Sequence, residues 1–298
     1  MRTISLLLSS MRFHQWVKNV FIFTPMVFSL HKARVDFITI KNNLLAFLLF
    51  SLAAGCIYVF NDCFDKEKDR LHPDKKKRPI ASGKLAIGTA VVGAGLILLL
   101  SLAAIFVFNL SFFYLVLVYV GMNVVYSSLL KKIVILDVMV IAVGFVLRVE
   151  IGGVINNIEL SRWILIITFL LAIFLGLIKR RQELINMNEA LTTGNTGIQT
   201  RKTLQKYNLA LLDQLISITT ATTLISYIIY VINPDIQQKF HTKYLYLTVP
   251  FVVFGIFRYL YLTYVKGKGE NPAEIIFSDI AFTANAVIWV AVFILLII

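Results

Sequence analysis

The chain has 298 residues, of which 58% are hydrophobic and 15% charged, and it carries a net charge of +13. Soluble domains hold about 25% charged residues, so this composition excludes an ordinary water-soluble globule and points to one domain whose solvent is lipid. The basic residues form no aromatic-interleaved module of the kind that grips nucleic acid, so no nucleic-acid partner is expected.

Residues 1–16 read as a short interfacial helix, with Arg2, Arg12 and Trp16 at headgroup level. The apolar patch Leu6–Leu8 is not followed by a small-residue cleavage site, so no cleaved signal is expected. Nine apolar segments follow, near 16–31, 43–61, 85–108, 111–130, 134–154, 162–179, 208–232, 244–265 and 275–298. Most approach the roughly 20 residues that cross a bilayer as a helix. Helices are expected throughout, because an open strand edge cannot be satisfied in hydrocarbon. Pro25 should bend the first segment.

Of the 29 Lys and Arg residues, 21 fall on one side of these segments, in 1–19, 62–84, 131–132, 179–206 and 266–268; six fall on the other. The positive-inside rule places the richer side in the cytosol. The expectation is therefore an all-α, polytopic membrane bundle of nine transmembrane helices, N-terminus cytosolic and C-terminus outside. It would form a single domain over 1–298, multi-pass in the cell (inner) membrane and attracted to anionic membrane lipids. The two long cytosolic loops, near 62–84 and 180–207, are where function is expected. Cys56 and Cys63 lie seven apart on one helix, about 10.5 Å at 1.5 Å per residue. That is too far for a disulfide, so both read as packing residues.

The second segment ends in Asn61-Asp62-Cys63-Phe64-Asp65-Lys66-Glu67-Lys68-Asp69-Arg70. On one continuous helix Asn61, Asp65, Asp69 and Asp62 fall within an arc of about 100°, while Glu67 points away. Carboxylates on one stripe repel unless a cation sits among them, and Mg²⁺ prefers carboxylate oxygens together with substrate phosphate oxygens. Acidic groups at a hydrocarbon edge are costly and usually functional. The bland alternative is a solvated helix end with i,i+4 ion pairs. The basic run Lys75-Lys76-Lys77-Arg78 comes next, and beside the aspartates it suits a phosphorylated ligand.

These residues resemble the UbiA superfamily of intramembrane prenyltransferases. The match is Asn-Asp-x-x-Asp-x-x-x-Asp at 61–69, then Lys75, Arg78-Pro79 and Ala81-Ser82-Gly83. The resemblance implies Mg²⁺ as cofactor, with Asn61, Asp62, Asp65 and Asp69 as metal residues and Asp62, Asp65 and Asp69 as catalytic ones. Known members carry a second Asp-rich motif after the sixth span. Here that stretch reads Lys179-Arg180-Arg181-Gln182-Glu183, and residues 179–207 hold no Asp-x-x-x-Asp. Other segments resemble the decaprenyl-phosphate phosphoribosyltransferase branch: Arg12-x-x-Gln15-Trp16-Val17-Lys18-Asn19, Gly144-Phe145-x-Leu147-Arg148, Lys179 to Glu183, and Phe257-Arg258-Tyr259. That branch implies transfer of 5-phosphoribosyl from phosphoribosyl diphosphate to a polyprenyl phosphate lipid, and self-association as a homo-oligomer. Gln15, Lys18, Asn19, Arg70, Lys75, Arg78, Tyr126, Lys131, Asp137, Arg148, Lys179, Arg180, Glu183 and Arg258 are the substrate-binding candidates.

Chemistry favours the phosphorylated acceptor. A phosphate monoester is largely dianionic at pH 7 and needs cations rather than a base. The remaining intramembrane charges are mostly cationic. Asp137, Gly144 and Arg148 share a face of the fifth segment, but Asp137 and Arg148 are about 16 Å apart along the axis, too far for direct contact. Lys179 and Glu183 are spaced for an i,i+4 pair. Arg258 needs an anion, from substrate, Asp279 or Glu274. His72 ends its helix before Pro73 or lines the site. A prenyl transfer to an aromatic or other small acceptor is the alternative, and a cation transporter a third.

Overall fold

The computed structural model describes residues 2–30, 36–71, 75–192, 203–267 and 278–298. His72 and Glu274, both named above, lie outside the described residues. Among the described residues there is no strand.

Twelve helices are described. They are α1 Arg2–Ser10, α2 Thr24–Phe28, α3 Phe37–Phe64, α4 Lys66–Arg70, α5 Ile87–Phe108, α6 Leu110–Ser128, α7 Leu136–Val154, α8 Arg162–Thr192, α9 Leu209–Ile232, α10 Pro234–Lys239, α11 Val249–Tyr264 and α12 Ile280–Ile297. Asp36, Asn109, Asn208, Asn233 and Asp279 cap α3, α6, α9, α10 and α12, each side chain accepting from a first-turn N–H.

Seven of these are long and apolar enough to cross a bilayer: α3, α5, α6, α8, α9, α11 with its preceding 3-10 turn, and α12. The other two predicted spans differ. The first is a 3-10 segment, Phe13–Phe23, joined to the short α2, which has Pro25 near its start. The fifth is α7, whose 19 residues carry Asp137, Arg148 and Glu150. Two of these charges, Asp137 and Arg148, are buried.

The bundle packs in neighbouring groups. α3, α5, α6 and α7 share one core around Phe50, Ile105, Phe112 and Ile151, and Ile22 of the 3-10 segment enters it. α7, α8, α9 and α11 share a second, around Phe174, Ile178, Leu212 and Tyr259. α5 and α12 bury little of their surface and leave Leu99, Leu100, Val287 and Leu295 exposed. Exposed apolar faces of this kind suit lipid.

The approach of the 3-10 segment to α7 is set by one glycine. A Cβ on Gly152 would stand 1.9 Å from the Ile22 carbonyl oxygen. Gly152→Ala must therefore push the two backbones apart, whereas Gly121→Ala on α6 would meet open space. We expect Gly152→Ala to lower the detergent melting temperature sharply and Gly121→Ala to leave it unchanged or slightly raised, since alanine favours helix by about 1 kcal/mol.

Candidate functional site

The acidic stripe forms as expected, with one local break. α3 stops at Phe64 and α4 starts at Lys66, and Asp65 between them has φ −95° and ψ 9°. The helical hydrogen bonds nevertheless bridge the junction, Asp65 N–H to Asn61 at 2.9 Å and Asp69 N–H to Asp65 at 2.8 Å. The aspartates keep their one-turn spacing across the kink.

Each carboxylate faces a cation. Asp62 is 3% exposed and accepts from Arg12 and from Arg78, the latter at 3.0 Å. Asp69 is buried and meets the same Arg78 nitrogen at 2.5 Å. Asp65 is more open and pairs with Lys131 at 3.3 Å and Lys68 at 3.5 Å. Asn61 accepts from Ser127 Oγ at 2.6 Å. Among the described residues no three carboxylate, histidine or cysteine side chains converge on one metal-sized point. Asp62 and Asp69 converge on a single guanidinium nitrogen, and Asp65 and Asn61 face other partners. That oxygen-only pair, buried and converging on a cation, fits Mg²⁺, which takes hard carboxylate oxygens.

Arg12, expected at headgroup level, sits with φ 55° and ψ 60°, the left-handed region, directly after α1. The turn carries its guanidinium over the Tyr58 ring, 5.2 Å from the centroid, and onto Asp62. A non-glycine residue holding that backbone conformation is uncommon and marks a site worth attention. Residues 1–16 are thus a helix and a reversal, and not a single interfacial helix.

A second group of cations lies beyond the stripe. Lys18 is accessible although protein surrounds it, and Lys179, Arg148 and Arg12 all repel it. It makes no hydrogen bond or ion pair with any described residue. Arg148 is buried. It donates to Asn19 at 2.8 Å, to the Gly144 carbonyl at 2.5 Å and to the Tyr119 hydroxyl at 3.2 Å. Its guanidinium also stands 5.0 Å from the Phe50 ring and 5.1 Å from that of Tyr119. No described carboxylate pairs with it, Glu150 and Asp137 included. Asn19 is locked in turn by Ser51 Oγ at 2.8 Å. Partial burial and the cations Arg12, Lys18 and Arg78 hold the His14 imidazole below its ordinary value, so it adds no charge at neutral pH.

Other candidates are placed elsewhere. Arg180 does not face this cluster. Its Nε lies 3.0 Å from Asp137 Oδ2, an ion pair without hydrogen-bond alignment, and its Nη1 donates to Glu183. Glu183 pairs with Arg180. Arg258 meets Asp279 through two bonds, 3.1 and 2.7 Å. It lines an apolar groove of about 590 Å³ on α11 with Val249, Val253, Phe254 and Phe257. Arg70 donates to the Ala81 carbonyl and pairs with Glu67, tying the loop to α4. Lys75 sits in the 3-10 turn Lys75–Lys77 that packs on α4. Gln15 and Tyr126 are half-buried, the one in the 3-10 segment and the other on α6. Cys56 and Cys63 are free thiols, as expected.

Comparison with known proteins adds three findings. A profile described as the UbiA prenyltransferase family matches residues 22–285. The chain is 30% identical over 287 residues to the decaprenyl-phosphate phosphoribosyltransferase of Corynebacterium glutamicum, covering 95% of this chain and 84% of that protein. It is 28% identical over 296 residues to the enzyme of the same name from Mycolicibacterium smegmatis, covering 96% and 91%. Its fold matches that of a UbiA homologue from Archaeoglobus fulgidus solved with DMAPP and Mg²⁺, with TM-score 0.69 and 18% identity, over 100% of this chain and 99% of that one.

Proposed function

The chain belongs to the UbiA prenyltransferase family and is a membrane-embedded transferase, and from that premise we propose that it moves 5-phosphoribosyl from phosphoribosyl diphosphate to a polyprenyl phosphate, releasing pyrophosphate. The observation that carries this reading is the surplus of cations. Three aspartates face Arg12, Arg78 and Lys131, and past them stand Lys18 and Arg148 with no described carboxylate between them. Two anionic substrates must meet in one site for this transfer, and a lone aromatic acceptor would not need the second group of cations. A buried cation without an anion is costly, so a phosphate monoester beside Arg148 would relieve a real electrostatic penalty.

In this reading Asp62 and Asp69 would hold Mg²⁺, which when bound neutralises charge on the departing diphosphate. Arg12 and Arg78, held beside these carboxylates, bind diphosphate oxygens, and Lys131 reaches them from beside Asp65. The ribose C1–O bond to diphosphate breaks, and a bond from C1 to an oxygen of the lipid phosphate forms. Lys18 and Arg148 hold that phosphate as the dianion, oriented by Asn19 and Tyr119. Phe50 and Phe145 around Arg148 keep water from the reacting carbon. We place the site at the cytosolic side of the inner membrane, where the basic loops lie and where a soluble sugar diphosphate has access.

Purified protein with Mg²⁺ should release pyrophosphate when given phosphoribosyl diphosphate and polyprenyl phosphate together. It should release little with an isoprenyl diphosphate and an aromatic acid. Release in the second mixture alone would reject the phosphoribosyl reading. The acceptor dianion also sets a pH dependence. With a second phosphate pKa near 6, the rate should fall as pH drops through about 6, because the monoanion is the poorer nucleophile. A rate that is flat from pH 7.5 to 5 would contradict a phosphate nucleophile.

A further inference from the structure

The connection between α6 and α7 contains a strained turn whose fastenings come from the far end of the second cytosolic loop. Ile135, which precedes α7, has φ 72° and ψ −47°. For a β-branched residue this is an outlying conformation, and it persists only where the surroundings over-determine it. The Ile135 N–H donates to the Tyr207 hydroxyl at 2.7 Å, and that hydroxyl donates to Asp137 at 2.8 Å. Four residues before Ile135, the Lys131 carbonyl accepts from Thr203 Oγ1 at 2.5 Å. Between these fastenings lies the backbone from which the Lys131 ammonium reaches both oxygens of Asp65, each at 3.3 Å.

The fastenings are themselves anchored. Thr203, Leu204 and Tyr207 are all buried. Leu204 and Tyr207 belong to the core formed with Val138, Ile178 and Leu212 of α7, α8 and α9. Burial raises the Tyr207 phenol above its ordinary value, so it stays protonated and keeps donating to Asp137. Asp137 is held from its other side by Arg180. Residues 203–207 therefore tie three helices to one short turn, and that turn ends on the aspartate stripe.

We infer that Tyr207 and Thr203 are positioning residues for the diphosphate site: they hold the 131–135 backbone in its strained turn and thereby hold the Lys131 ammonium at Asp65. Without them Ile135 relaxes toward ordinary backbone angles and Lys131 loses its fixed origin. This also gives the second long loop a part in the site although it carries no aspartate pair. The inference rests on the proposed transfer only for the diphosphate, since pyrophosphate is the product of a phosphoribosyl or a prenyl transfer alike.

The test is calorimetric binding of pyrophosphate, with Mg²⁺, to the full-length protein. Tyr207→Phe should weaken binding roughly fivefold and Lys131→Met roughly tenfold, the scale of losing a neutral and a charged hydrogen bond. Added to Lys131→Met, Tyr207→Phe should weaken it no further, because residues acting through one contact are not additive. Thr203→Val, which loses one hydroxyl and no packing volume, should behave as Tyr207→Phe does and serves if the phenol's loss unfolds the chain. A merely structural tyrosine would lower melting temperature and leave this coupling at zero. Equal losses with and without Lys131, or unchanged affinity in both Tyr207→Phe and Thr203→Val, would overturn the inference. Binding that follows the expected pattern while no phosphoribosyl lipid forms would reject the transfer reading alone.

Discussion

Asp62→Asn and Asp69→Asn should each reduce metal-dependent pyrophosphate release by on the order of 10²–10³-fold, the scale of several kcal/mol of lost charge stabilisation. Asp65→Asn should cost less, about tenfold. The spacing of the motif makes the three aspartates equivalent, and the structure does not. Asp62 and Asp69 are 3% and 5% exposed and converge on Arg78, whereas Asp65 is more open and meets only lysines. Losing a carboxylate from the converging pair also leaves Arg78 partly uncompensated, so its guanidinium is held less well for the diphosphate. Steady-state release across a magnesium titration checks this. The first two variants should stay inactive at all magnesium concentrations, and Asp65→Asn should recover in part. Equal, small effects for all three would remove the metal assignment from this stripe.

The second large effect concerns stability. Arg180 and Asp137 are 3% and 1% exposed, and breaking one side of a buried pair costs about 3–5 kcal/mol. Arg180→Met leaves Asp137 with the Tyr207 hydroxyl alone, so we expect a marked fall in melting temperature and in recovered folded protein. Arg181→Met is the comparison. Its partner Asp213 is 41% exposed, and ion pairs of that kind are worth about 0–1 kcal/mol. A stable Arg180→Met protein that has lost donor binding would mean that Arg180 is a ligand after all, as its neighbourhood in the sequence suggested.

What could be read from the sequence follows from the range of each interaction. The stripe at 61–69 is local, so its period survives even the kink at Asp65. The long apolar helices are local too. The 3-10 segment defeats period-based reading because its backbone is chosen by contact: Gly152 lets the Ile22 carbonyl come close to α7. The Arg12–Asp62 contact is hidden from the sequence for a related reason, since only a left-handed turn brings Arg12 to Asp62, fifty residues later. The partners of Arg180 and Lys131 are 43 and 66 positions away, and no spacing rule announces them. Arg148 is legible in the sequence as a charge within the fifth span that shares a face with Asp137 and Gly144. Its hydrogen-bond set of Asn19, Gly144 and Tyr119 could come only from the packed bundle.

The phosphoribosyl transfer is tested most directly on its lipid product. Protein incubated with Mg²⁺, phosphoribosyl diphosphate and a polyprenyl phosphate should convert the lipid to a species heavier by one phosphoribosyl group, seen by mass spectrometry of the organic extract and absent with Asp62→Asn. An unmodified lipid in every such mixture, together with prenylated product from an isoprenyl diphosphate and a small acceptor, would contradict it.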